Sequence, residues 1–236
     1  MRQWNLRLRE TQIFQLFRLT GSFQKAMGKM NSKPLLSAYL AALPVQDRVA
    51  ARSQSGPGPL QAWLWGLSAW GQLVQTRAGY ALALEAFSQW KTFLTQSPDQ
   101  NWPEAVCLEK CWKQFQVWID TRDHTSFTEL KTLQPELAQF LNIVDLNIAE
   151  GVRPEEPYWA ALVCSHAISV ALWDTAQLPS GLSQPEYDQR LRAGPAFDLL
   201  EAAFCAKKAF GWTDEQIRAC IAQKLSEESP GDLESQ

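Results

Sequence analysis

The chain has 236 residues, 46% of them hydrophobic, including 11 Trp, and a formal net charge of −3. That much apolar surface excludes a wholly disordered chain and fits one large domain or a small domain joined to a larger one. No apolar run approaches the ~20 residues needed to cross a bilayer, so no membrane partner is expected.

The small net charge hides an asymmetry. The first sixty residues carry nine Lys/Arg against Glu10 and Asp47, a balance of +7, while the remaining 176 hold 13 basic and 23 acidic side chains, or −10. A basic end on an acidic body points to a polyanion at one end and a solvating surface at the other. Polar residues follow Met1-Arg2-Gln3-Trp4 in place of an apolar signal core, so a cytoplasmic protein is expected. Five cysteines, an odd number in apolar helical stretches, read as buried reduced thiols and argue against a disulfide framework.

Helical periodicity dominates, and strand-like alternation between turns is nearly absent. In chain order the pattern predicts helices near 9–19, 22–30, 33–43, 60–78, 80–96, 103–121, 134–148, 156–177, 195–210 and 213–225. The Ser/Gly/Pro stretch 53–59 is the main compositional boundary. It separates a basic domain, 1–59, from a helical domain, 60–228, with 229–236 as a flexible acidic tail. Within the first domain Ser22 can cap one short helix and Ser32 the next, with Pro34 in its first turn. Leu36, Leu40 and Leu43 then form an inner face, leaving Lys33, Ser37, Ala38, Tyr39 and Ala41 outward.

In helix 60–78, Trp63, Leu67, Trp70 and Val74 form one stripe, and Leu64, Trp65 and Leu73 cover much of the opposite side. A helix apolar around its circumference must be buried on both sides. It is expected to be central to the body or shared with a second copy, in which case the chain is a homodimer.

The N-terminal residues Phe14-x-x-Phe17, Gly21-Ser22-Phe23-x-x-Ala26 and Ser32-x-Pro34-x-Leu36-Ser37-x-x-Leu40-x-x-Leu43 resemble the winged helix-turn-helix of LysR-type regulators. The molybdate-responsive ModE regulators have a similar unit. The likeness covers residues 9–78. The turn before Ser32 is about one residue shorter than the family pattern, and no alternating strand-helix effector domain follows residue 80. The resemblance implies a small β wing at 48–59, a dimerising linker helix at 60–78, and DNA as partner. Ser32, Lys33, Ser37 and Tyr39 would then address the groove, and Lys25, Lys29, Arg48 and Arg52 would hold phosphates. The same basic residues also suit a plain solvated face, because Ala38, Ala41 and Ala42 stand where base-reading side chains would be wanted.

Further along, Trp70-Gly71, Tyr80, Ala83 and Phe87 follow the spacing of a tetratricopeptide unit, with an echo at Trp112 to Phe115. Two loose echoes fall short of the roughly three stacked units that an array needs, and antiparallel helix pairs in an ordinary bundle are the expected reading. Cys107 and Cys111 share a helical face and Cys164 and His166 lie near one another in sequence, but no zinc pattern fits, and small buried side chains are the simpler expectation. Asp120, Asp123 and His124 read as a polar cluster at a helix end, with His124 placed by the helix dipole. No phosphate loop, nucleophile elbow or His-Glu-x-x-His is present, so neither catalysis nor a cofactor or metal is expected. Trp102, Trp112 and Trp118 read as core packing or, alternatively, as lining an interface with a protein partner or a small-molecule pocket in the helical body.

The expected architecture is therefore all-α, with a winged-helix-like N-terminal domain before a multi-helix domain. Two functions fit it. One is a DNA-binding transcriptional regulator whose helical domain receives a signal or dimerises. The other is a non-enzymatic adaptor or assembly factor whose helix-turn-helix and Trp-rich body bind protein partners.

Overall fold

The computed structural model describes residues 36, 40, 59–96, 103–149, 155–173 and 183–227. The expected helices at 9–19 and 22–30, the wing and the acidic tail lie outside the described residues. Among the described residues the fold is all-α and contains no strand. The elements are α1 (Pro59–Gly66), a short 3-10 turn (Leu67–Trp70), α2 (Gln72–Gln96), α3 (Pro103–Thr121), α4 (His124–Ala149), α5 (Glu155–Leu172), α6 (Gln184–Phe210) and α7 (Asp214–Glu227).

The long helices α2, α5 and α6 pack together at the centre, with α1 against α6 and α7 against α2. The α3–α4 hairpin joins this centre mainly through α4 and α5. Small residues allow the central contact. Gly79 on α2 faces Ala167 on α5 so closely that a Cβ at position 79 would lie 3.3 Å from the Ala167 Cα. Ala78, Ala83 and Ala86 on α2, and Ala160, Ala161 and Ala171 on α5, are all buried nearby in the same cluster. Helices that meet through Gly and Ala bring their backbones together and extend dispersion contact along their length.

Helix ends are closed by side chains. The Gln72 amide donates to the carbonyls of Val170 (3.0 Å) and Trp173 (3.0 Å), satisfying orphan acceptors where α5 ends. Thr213 and Gln216 form a reciprocal capping box at the start of α7: the Gln216 N–H donates to Thr213 Oγ1 (3.3 Å) and the Thr213 N–H to Gln216 Oε1 (2.8 Å). The charged contact between α2 and α3, Lys91 to Glu109 at 3.9 Å, is half exposed on both sides. It contributes little beside the packing.

Three expectations are corrected. The single helix 60–78 is broken, because Gly71 adopts φ +91° and ψ 174°, a conformation essentially restricted to glycine. The chain enters α2 afresh at Gln72 and runs unbroken to Gln96. That continuity also removes the tetratricopeptide reading, which needs a turn between two helices in the span from Gly71 to Phe87. Moreover, Trp70 sits in a 3-10 turn while its echo Trp112 lies in mid-helix. Finally, α4 begins ten residues earlier than expected and passes through Pro135. Leu130, Leu137 and Leu141, at 0%, 0% and 3% exposure, recur along the buried face. Pro135 itself is exposed, and the helix continues past it because the buried leucine face outweighs the one backbone bond a proline cannot donate.

The burial expected on both sides of 60–78 is met within one chain. Trp63 (2% exposed) joins the main core, and Trp65 (1%) packs with Ala62, Ala196 and Leu200 on the other side. Leu36 and Leu40 are helical and buried, consistent with the expected inner face, and belong to that same main core. Leu43 lies outside the described residues.

Two substitutions separate backbone strain from packing. Gly71→Ala, whose Cβ would meet nothing within 4 Å, is expected to lower unfolding free energy by about 1–3 kcal/mol through conformation alone. Gly79→Val is expected to cost about 1–3 kcal/mol by forcing α2 and α5 apart. Urea titration of each variant, followed by circular dichroism, reads both.

Candidate functional site

The eight residues expected to contact DNA, namely Lys25, Lys29, Ser32, Lys33, Ser37, Tyr39, Arg48 and Arg52, lie outside the described residues. The described body offers four constellations to weigh.

The most extensive is a run of rings between α2 and α3. Trp112 stacks on Phe87 (centroids 4.8 Å apart, 20° between planes) and on Tyr80 (5.6 Å, 15°), while Phe115 meets Tyr80 edge-on (5.5 Å, 86°). The run continues through Phe115 and Trp118 to Phe127 on α4, and the Arg122 guanidinium lies 4.7 Å from the Trp118 ring centre. Each such pair adds about 0.5–1.5 kcal/mol beyond burial. Trp112 is 3% exposed, so it is core and presents no free interface. Trp118 is half-buried, and Trp102 lies outside the described residues.

The cysteines separate. Cys107 and Cys111 share one buried face of α3, with their thiols pushed up by burial. Cys164 instead donates to the Ala83 carbonyl at 3.7 Å, anchoring α5 to α2. Burial, with Glu201 adding to it, pushes the Cys205 thiol up to about 12, and burial with Glu85 pushes Cys220 to about 11. Thiols so disposed are packing groups and poor nucleophiles. Among the described residues no group of three or more His, Cys, Asp and Glu is placed to hold a metal.

The two histidines have separate local roles. The His166 imidazole lies 3.3 Å from Asp198 and links α5 to α6, with both side chains about a quarter exposed. His124 does not sit at a helix C-terminus, contrary to expectation. It opens α4, and the preceding Asp123 is the cap: its carboxylate accepts from the Thr125 N–H (2.8 Å) and the Ser126 N–H (3.0 Å). Bonds from Ser126 and Thr125 hold the Asp123 carboxyl below its ordinary range. Sequence could have found this cap, since Asp followed by a helical run is an N-terminal signal. The polar run at 120–124 spans two helix ends, with Asp120 in the last turn of α3 and Asp123 capping α4.

The fourth constellation is a set of surface clefts. One, between α1 and α6, includes Leu60, Leu64 and Phe204, the last 49% exposed. Another lies where α2 and α6 end and α5 begins, and Trp90, Phe93 and Phe210 are among its lining residues. No protein-family model, curated protein or solved structure matches the chain. Among the described residues no helix is long and apolar enough to cross a membrane.

Two measurements check these assignments. Under native conditions at neutral pH, a thiol-specific chromogenic reagent should leave Cys107, Cys111, Cys164 and Cys205 protected and modify the half-buried Cys220 only slowly, with all five reacting in denaturant. For Asp123, the folded pKa is depressed, so its stabilisation is present above the unfolded carboxyl pKa and is lost as pH falls through the folded value. The stability gap between the native chain and Asp123→Ala should therefore narrow on acidification, and Asp123→Asn, an uncharged cap, should show no such pH dependence.

Proposed function

We propose that the chain is a DNA-binding regulator, in which the basic first sixty residues engage duplex DNA and the helical body receives a second signal. The observation that carries the reading is the +7 balance of that segment, on residues in register with a helix-turn-helix pattern. Neutralising phosphates releases counterions, so such a segment gains affinity without needing many base contacts. The burial of Leu36 and Leu40 in the main core supports a direct mechanical link, since anything that shifts the second helix also shifts its packing against the body. A homodimer, which would pair two such segments, belongs to the same proposal.

The adaptor reading is favoured by one specific feature. Ala38, Ala41 and Ala42 leave few side chains for base readout, so a protein surface would suit this helix as well as a groove.

Fluorescence anisotropy with mixed-sequence duplex DNA, titrated from low to physiological salt, tests the regulator. Contacts from Lys25, Lys29, Lys33, Arg48 and Arg52 with about five phosphates should give a log–log salt slope of roughly −4 to −5. Combined Lys33→Ala, Arg48→Ala and Arg52→Ala should flatten that slope by about 3 without lowering the melting temperature. No binding at low salt, or binding indifferent to the triple substitution, would turn the assignment to the adaptor.

A further inference from the structure

The cleft where α2 and α6 end and α5 begins brings three aromatic side chains together with one carboxylate. Its volume is about 250 Å³, enough for a small organic molecule. Trp90, 1% exposed, forms its floor, and the half-buried rings of Phe93 and Phe210 line its sides. Ala160 keeps the α5 wall low, and the Gln89 amide stands at the edge. Glu156 is the only charged side chain among the described lining residues, and it is exposed. Its neighbour Glu155 accepts a bond from the Trp159 indole N–H at 3.3 Å.

Among the described residues, the charged side chain of the cleft and two of its three helix ends are negative. The cleft takes in the last turns of α2, which ends at Gln96, and of α6, which ends at Phe210. Helix C-termini carry partial negative charge, and two of them converge here. The one N-terminus present, that of α5, would favour an anion, but Glu155 and Glu156 occupy its first turn and reverse that preference. Aromatic faces are negative as well, through their quadrupoles. The last-turn lysines of α6 do not line the cleft: Lys208 lies over the Phe204 ring and Lys207 pairs with Asp214.

We propose that this cleft binds a small organic cation with an alkylated ammonium head, the head resting among Trp90, Phe93 and Phe210 and its charge met by Glu156. A quaternary or methylated ammonium is the chemistry that satisfies both halves of the site, because it is weakly hydrated and apolar on its outside yet positively charged. An anion would meet Glu156 and two helix C-termini, and a neutral apolar ligand would gain nothing from them. The proposal does not depend on the DNA-binding reading, and its test involves no nucleic acid.

Isothermal titration of the full chain with choline, and with its neutral isostere in which tert-butyl replaces trimethylammonium, separates charge from shape. Choline should bind about tenfold more tightly than the isostere. Glu156→Gln, at an exposed position that does not support the core, should reduce that preference several-fold with the melting temperature unchanged. Phe210→Leu should weaken choline more than the isostere. Equal affinity for the two probes, absence of choline binding at millimolar concentration, or a preference unmoved by Glu156→Gln would each overturn the proposal.

Discussion

The close approach of α2 and α5 at Gly79 and Ala167 is the constraint on which the rest of the bundle depends. A Cβ at position 79 would lie 3.3 Å from the opposing backbone, tighter than ordinary van der Waals contact. Because the two backbones come together there, short polar reaches become effective. Cys164 can donate to the Ala83 carbonyl, and Gln72 can close the α5 terminus some hundred residues away in sequence. α6 then packs against the other side of α5, carrying buried Ala202, Ala203 and Ala206. Small side chains in three adjacent helices therefore set the spacing, with Leu82, Ile168 and Leu199 buried among them, and the stacked rings of α2 and α3 are displaced to one side.

That displacement explains where the aromatic residues gather. Tyr80 and Phe87 project from α2 to meet Trp112 and Phe115 on α3, so α3 is held to α2 by stacked rings in place of close backbones, while α4 packs directly on α5. Toward the end of α2, Phe93 with Phe210 of α6 lines a cleft floored by Trp90. Loss of the small residues at the centre would shift both arrangements, since each depends on where α2 lies. The cleft and the core thus have one geometric origin.

Much of the fold class was legible in sequence because helical periodicity is a local property. The apolar circumference read for 60–78 correctly required burial on both sides, and Trp63 and Trp65 do join different clusters. The break at Gly71 was less visible. A single glycine in a helical pattern is tolerated as often as not, and only its left-handed φ shows that a turn occurs there. Pro135 misled in the opposite direction, since a proline at an exposed position loses one hydrogen bond that the buried Leu130–Leu137 face outweighs. The expected DNA contacts rest on charge and motif register in 1–59, and the cleft of the body is lined by Trp90, Phe93 and Phe210, which no sequence pattern marks.

The sequence by itself determined the helical class, the absence of a strand pattern, the division into a basic segment and an acidic body, and the burial of nearly all the cysteines. These follow from composition and from a 3.6-residue period, which act over a few turns at most. Only the tertiary structure decided that Trp90, Glu156 and Phe210 share one cleft. They come from three helices far apart in the chain, and no periodicity relates them. Their meeting depends on the packing of α2, α5 and α6, which small residues such as Gly79 and Ala167 permit but cannot announce, because an alanine in a helix reads the same whether it faces a neighbour or water.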